Sequence, residues 1–368
     1  MTRLAPAGAL LCLATAGCSA WIDDFSVGDS GQDAGLATDS ETGTATDADA
    51  DADADSDTDT DTDVDADTDA DSDTSDGSDS SDSDSDTDTS GPACGVFVTP
   101  PSGDDLELCT VAPEAFFMGC DGDAAGEDCV ADELPMHEVV LSGYEIARFE
   151  TTNAAFASFV DDQPSWAKDG ALAAQKCGSN YLSDWQAGEP VAGMEQRPVT
   201  GVCWHAAKAF CQWLGDGFDL PTEARWEHAA RGTHDGRDGS AYWMYAFGNA
   251  ASCDLANFSG CVGGPADVGT ATGMAPSGAY DMSGNVWEWV QDWYRSDIYC
   301  DPTNSGAFVS PQCNEGYEWA DPEGDADGAL KGVRGGSWFH EASIMRNAKR
   351  QGLEPRSTSN LIGFRCAR

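Results

Sequence analysis

The residues best suited to metal ligation or nucleophilic attack in this 368-residue chain are its 14 cysteines and five histidines, and their spacing narrows what they can do. Setting aside Cys12 and Cys18, which fall in an apolar leader, leaves twelve cysteines, an even number. No Cys-x-x-Cys pair occurs among them, and close pairs of that kind are what structural zinc sites use. The expected state is therefore a disulfide set, the usual fate of paired thiols outside the cytoplasm. Neighbours at loop distance favour local bonds, Cys94 with Cys109, Cys120 with Cys129, Cys253 with Cys261 and Cys300 with Cys313, although order along the chain does not fix connectivity. His137, His205, His228 and His234 are scattered without ligand spacing, and no Gly-x-Ser-x-Gly elbow marks a serine nucleophile.

Charge and composition divide the chain. The formal charge is −48, from 66 acidic and 18 basic residues, which excludes a nucleic-acid partner of the kind that needs a basic face. Met1 to Ala20 carries one Arg, an apolar run (Leu4, Leu10, Leu11, Leu13) and the small residues Thr15-Ala16-Gly17 before Cys18. The run is too short to span a bilayer and reads as a signal peptide over residues 1–18. Its small-small-Cys ending is similar to the bacterial lipobox, predicting lipidation of Cys18 and a membrane as partner; the alternative is ordinary secretion. Ser19 in place of Asp after Cys18 points to the outer membrane, so the expected location is exported, in the cell envelope. Residues 19–90 hold 25 Asp, one Glu and no Lys or Arg, mostly as Asp-Ala, Asp-Thr and Asp-Ser dipeptides. Such a segment cannot offset its ordering entropy and is expected as a disordered, self-repelling tether spanning about 50 Å or more. Its alternating Asp lacks the Gly and Glu of an EF-hand loop.

Residues 91–368 remain as one domain, with 40 acids against 17 bases, 34 Gly and 11 Trp. That composition predicts a loop-rich fold held by aromatic packing. Short helices are expected over 153–160 behind Thr151-Thr152, over 205–214 with Gly215 as a stop, and from Thr222 to Gly232 with Trp226, Ala229 and Ala230 facing inward. Brief strands are expected over 138–141, 144–146 and 332–334.

Five separated motifs then occur in order. They are Phe117-Met118-Gly119 with Asp132-Glu133-Leu134-Pro135 and His137; Arg197-Pro198-Val199 with Cys203-Trp204; the run from Leu220 to Gly232; the run from Tyr280 to Trp289; and Arg334-Gly335-Gly336-Ser337-Trp338, closed by Gly363-Phe364-Arg365. From about Pro113 onward the chain resembles the formylglycine-generating-enzyme (sulfatase-modifying factor) family. The resemblance implies an α+β fold of C-type-lectin-like kind, disulfide-rich and with little regular secondary structure. It also implies a disulfide from Cys211 to Cys366, and one calcium ion held by Asp281, the carbonyls of Gly284 and Val286, and Glu288. Hard oxygen ligands on a glycine-containing loop suit calcium; the alternative is that Asp281 caps a turn and Glu288 pairs with an arginine. A second family calcium site would begin at Asn257, but the Asp-Gly-Phe element expected downstream of it is missing.

The family's enzymes oxidise a substrate cysteine with copper bound by two cysteines, two and seven residues beyond the aromatic of the Arg-Gly-Gly-Ser motif. Those positions read His340 and Met345, and Cys366 alone follows Cys313. Copper is not expected, because a dithiolate site cannot be assembled there. Together with the leader, the resemblance points to an exported lipoprotein whose domain has lost catalysis and binds a protein, peptide or glycan through a groove lined by Trp287, Ser337, Trp338, His340 and Arg346; the alternative for its aromatic residues is buried packing. The runner-up is an enzyme of the superfamily with a non-cysteine metal site around His340.

Overall fold

The computed structural model describes residues 93–122, 128–234, 236, 241–299, 319–324 and 327–368. The expected signal peptide, Cys18, the acidic tether over 19–90 and the Cys300–Cys313 pair lie outside these residues. Five strands come first: β1 (Ala93–Val98), β2 (Leu106–Val111), β3 (Glu114–Met118), β4 (His137–Leu141) and β5 (Tyr144–Ala147). Four short helices follow: α1 (Asn153–Asp162), α2 (Ala171–Lys176), α3 (Trp204–Trp213) and α4 (Glu223–Arg231). The remainder supplies β6 (Trp287–Trp293), β7 (Trp319–Ala320), β8 (Lys331–Arg334), β9 (Arg350–Leu353) and β10 (Ile362–Gly363). These strands form three small sheets, β1-β2-β5, β3-β4-β7 and β10-β6-β8-β9, with parallel pairing at β4–β7 and β6–β10 and antiparallel pairing elsewhere.

Local chemistry sets the helix ends. Thr152 and Thr222 cap α1 and α4, each side-chain oxygen accepting the backbone N–H three residues on at 3.2 Å. Gly232, at φ 59°, closes α4 where a side chain would be strained. The inward face of α1 sets Phe156 and Phe159 against Phe210 of α3, with ring centroids 5.7 and 5.6 Å apart, and Phe364 closes on Phe210 at 5.4 Å. A second core places Trp226, Ala229 and Ala230 of α4 among Phe116, Val139, Leu141, Ile146 and Met282. Disulfides tie these pieces together: Cys94–Cys109, Cys120–Cys129, Cys177–Cys203, Cys211–Cys366 and Cys253–Cys261.

Buried charge joins α4 to β8, to β9 and to the end of β3. Glu223, Glu227 and Arg231 recur every four residues and lie along one face of α4, all buried. Arg334 of β8 donates to Glu223 at 3.0 Å, to Glu227 and to the Asn347 carbonyl at 2.6 Å. Arg350 of β9 grips Glu223 with two bonds of 2.6 and 2.8 Å. Arg334 and Arg350 stand opposite each other in the β8–β9 ladder, a like-charge pairing that is unfavourable unless a shared anion sits between them. Glu223 is that anion. At the other end of α4, Glu227 accepts the Gly119 N–H at 2.8 Å, and Arg231 donates to the Gly119 carbonyl at 2.8 Å. The backbone can come this close because Gly119 (φ 106°) has no Cβ, which would meet the Glu133 carbonyl at 2.8 Å.

Replacing Arg334 by Met is expected to leave Glu223 and Glu227 partly uncompensated in the interior. Urea unfolding should show a loss of about 3–5 kcal/mol; a change under about 1 kcal/mol would mean that the arginine contributes little beyond its packing.

Candidate functional site

The loop from Asp281 to Glu288 winds through left-handed backbone at Asp281 (φ 61°), Gly284 (φ 95°) and Asn285 (φ 57°) before entering β6. Gly284 is required by contact as well as by φ, since a Cβ there would lie 2.5 Å from the Asn257 carbonyl. Asn285 is the hub. Its backbone N–H donates to the Asn257 carbonyl at 2.8 Å, and its side-chain oxygen accepts from Asn257 Nδ2 at 3.1 Å and from the Ala266 N–H at 2.9 Å. Its Nδ2 donates to Glu150 at 2.5 Å, and the other Glu150 oxygen accepts the Val286 N–H at 3.1 Å. Glu150, at the end of the segment leading to α1, and Asn257 were not picked out as parts of this loop's support from sequence; their signal was only their place beside recognised motifs.

Asp281 accepts the Gly269 N–H at 2.6 Å. Glu288 is clasped by Arg365 with two bonds of 2.7 Å and also accepts Trp226 Nε1 at 2.8 Å. Turn-capping by Asp281 and arginine pairing by Glu288 are therefore both present. Three buried acids, Glu150, Asp281 and Glu288, stand within electrostatic reach of one another around the single guanidinium of Arg365. Burial first, and then the Asp281 and Glu288 carboxylates, push Glu150 well above the usual carboxylate range. Burial pushes Asp281 up to about 6, against the pull of the Gly269 N–H and Arg365. The excess of buried negative charge fits a cation. Among the described residues no three His, Cys, Asp or Glu side chains converge to hold a metal, so a cation here would rest mainly on Asp281 and on carbonyls such as those of Gly284 and Val286. Glu288, already carrying three donors, is the least available member of the set.

The second region follows β8. Of the five residues expected along a groove, Trp287 and Ser337 are buried and Arg346 is drawn inside, where it grips Glu133 with two bonds of 2.8 Å. This corrects the expectation for those three residues. Trp287 begins a strand paired on both sides, Ser337 follows a doubly left-handed Gly335-Gly336 turn packed on Met345, and a buried Glu133 needs a guanidinium partner. Trp338 and His340 are partly exposed, next to Phe339 at 50% exposure. His340 Nδ1 lies 2.7 Å from Ser337 Oγ, and its ring meets Trp287 edge-on at 5.9 Å. The Ser–His distance is that of a nucleophile and its base, but Ser337 is 0% exposed and offers no substrate a line of attack. Met345 is buried against Tyr245 and Ala256.

Among the described residues, a mixed arrangement of three small sheets and four short helices, with the Arg-Gly-Gly-Ser turn facing an asparagine-anchored loop, defines the class. The chain belongs to the family of the sulfatase-modifying factor enzyme 1-like domain, whose model matches residues 107–368. It is 30% identical over 289 residues to the formylglycine-generating enzyme of Streptomyces coelicolor, covering 67% of this chain and 85% of that one. It is 32% identical over 243 residues to the serine/threonine-protein kinase pkn1 of Chlamydia pneumoniae, covering 64% of this chain but 35% of that one, so it spans about a third of the length of that relative. The solved Treponema denticola variable protein 1 superposes with a TM-score of 0.52 at 23% identity, over 75% of this chain and 99% of that one, a likeness of fold.

Asn285→Ala removes the hub and keeps a left-handed residue without its polar compensation. Its expected cost in urea unfolding is roughly 3 kcal/mol, from buried partners left unpaired and from backbone strain. Asn285→Gly should recover about 1 kcal/mol of that by relieving the strain alone; equal losses in the two variants would show that the backbone conformation is immaterial.

Proposed function

We propose that this chain is an exported, membrane-anchored protein of the cell envelope whose sulfatase-modifying-factor-type domain binds a protein, peptide or glycan and no longer oxidises cysteine. The observation that carries this reading is the identity of the residues after the Arg334-Gly335-Gly336-Ser337-Trp338 turn. The positions where the resemblance places two copper-binding cysteines hold His340 and Met345. Every cysteine among the described residues is committed to a disulfide, so none supplies a free thiolate to this face. The lipid anchor at Cys18 and the acidic tether support presentation of the domain away from a membrane surface. One observation favours the second reading, an oxidoreductase or other enzyme with a non-cysteine metal site: His340 is partly exposed and oriented by Ser337.

Purified full-length protein incubated with copper and a cysteine-containing peptide should yield no aldehyde and retain no stoichiometric copper. Aldehyde formation, or a redox metal that is lost in His340→Ala, would establish the enzyme reading instead.

Calcium belongs to the same proposal, held by Asp281 and the Gly284 and Val286 carbonyls, with Glu288 at the edge of the site. Its contribution would be structural charge that offsets the buried acids. Saturating calcium at a hundred times its Kd adds about 2.7 kcal/mol, which for a domain of this size raises Tm by about 5 °C or more relative to chelator. The shift should disappear in Asp281→Ala; an unchanged Tm in the wild-type protein removes calcium from the site.

A further inference from the structure

Three segments converge where α2 ends and α3 begins. The Cys177–Cys203 disulfide joins the end of α2 to the start of α3. The segment after β9 closes on both: the Pro355 carbonyl accepts the Trp204 N–H at 3.1 Å, and the Arg356 carbonyl accepts the Gly178 N–H at 2.8 Å. The Arg356 guanidinium reaches back over α2, Nη1 donating to the Gln175 carbonyl at 2.6 Å and Nη2 to the Cys177 carbonyl at 3.1 Å. Lys176, His205 and Arg356 are thereby brought to one surface, where Lys176 and Arg356 are exposed and His205 partly so.

Two of the three are cations, and His205 becomes one on protonation. In a domain of 40 acids and 17 bases a basic side chain ordinarily meets a carboxylate, as Arg148, Arg346 and Arg368 do. Lys331, behind the Trp204 ring at 4.2 Å, faces Asp292 and Asp219. Neither Lys176 nor Arg356 forms an ion pair among the described residues. The charges that act on the His205 ring are those of Lys176, Arg356 and Lys331; after burial, they hold its pKa below the ordinary imidazole range.

The cluster therefore offers positive charge and unused donors without a counter-ion. Arg356 spends two of its five N–H groups on the two carbonyls, and the Lys176 ammonium keeps its own three. A carboxylate would bring one charge and two oxygens. A phosphate group brings about two charges and three acceptor oxygens, one for each of the three side chains.

We propose that Lys176, His205 and Arg356 together bind a phosphate group, with Lys176 and Arg356 supplying charge and N–H donors and the His205 ring completing the set. The same chemistry has two sources, the free ion or a phosphate ester on a larger ligand such as a sugar. The inference does not depend on the function proposed above for the domain.

The test uses the full chain with ¹⁵N-labelled histidine, whose five side chains are followed individually by long-range proton–nitrogen correlation. Inorganic phosphate, glucose 6-phosphate and glucose are titrated in turn, with sodium chloride holding the ionic strength constant. Expected is a saturable shift at His205 with one or both phosphates and none with glucose. The His205 pKa should rise in saturating phosphate, because a bound anion favours the imidazolium. Stronger binding of glucose 6-phosphate assigns an ester, and equal or stronger binding of the ion assigns free phosphate; either supports the site. Lys176 is exposed, so Lys176→Gln should keep its Tm while binding phosphate about tenfold more weakly, the loss of one charge-assisted hydrogen bond. A shift that never saturates, an equal response to glucose, a His205 pKa that does not rise, undiminished affinity in Lys176→Gln, or no response to either phosphate overturns the proposal.

Discussion

Glu223 and Glu227 are two carboxylates in an interior that does not tolerate bare charge, and the rest of the domain is arranged around neutralising them. Their guanidinium partners come from β8, from β9 and from the last turn of α4 itself, more than a hundred residues away in the first two cases. Each partnership fixes more than a distance. A bidentate arginine sets an orientation as well, so α4 can lie against the β8–β9 ladder in one rotation only. The same logic recurs where Arg346 meets Glu133 and where Arg365 meets Glu288. Such pairs add little net stability over apolar packing of the same volume. They do penalise every arrangement that leaves one partner alone, which matters where the described residues form only short helices and small sheets.

This also explains what the sequence disclosed and what it withheld. The helices over 153–162 and 223–231 were legible because threonine caps and a terminal glycine act within four residues, and local signals of that range survive without knowledge of the fold. The strands over 138–141, 144–146 and 332–334 were legible for the same reason, each extending by one residue in the structure. β6 was not read as a strand. Its residues Trp287 to Val290 are buried on both faces, so no alternation of polar and apolar residues marks them. β10 owes its existence to parallel pairing with β6, 75 residues distant along the ladder Ile362–Trp287. Local disulfides followed from short loops, whereas Cys177–Cys203 joins two loop residues 26 apart with no local cue.

The 281–288 loop was marked in the sequence by its motif, but its geometry was not. Asp281, Gly284 and Glu288 lie on one loop, yet Glu288 turns toward Arg365, and Glu150, 135 residues before Asn285, braces that loop through Asn285 and the Val286 N–H. Arg346 shows the difficulty most plainly. An arginine three residues beyond a partly exposed turn reads as a surface group until its partner is known, and Glu133 is 213 residues away. Acidic side chains gather in the interior as well, where Glu150, Asp281 and Glu288 lie around the guanidinium of Arg365.

The last few residues carry an unusual share of these long-range closures. Arg365 neutralises Glu288, Cys366 bonds to Cys211, and Ala367 bridges both Ile146 and Asp219. A ribosome or a translocation pore releases a chain from its N-terminal end, so α3, β5 and β6 emerge long before the residues that complete them. The Glu288 carboxylate and the Cys211 thiol stay without these partners until residues 365–366 are free, so closure of these elements waits on a segment made well after them.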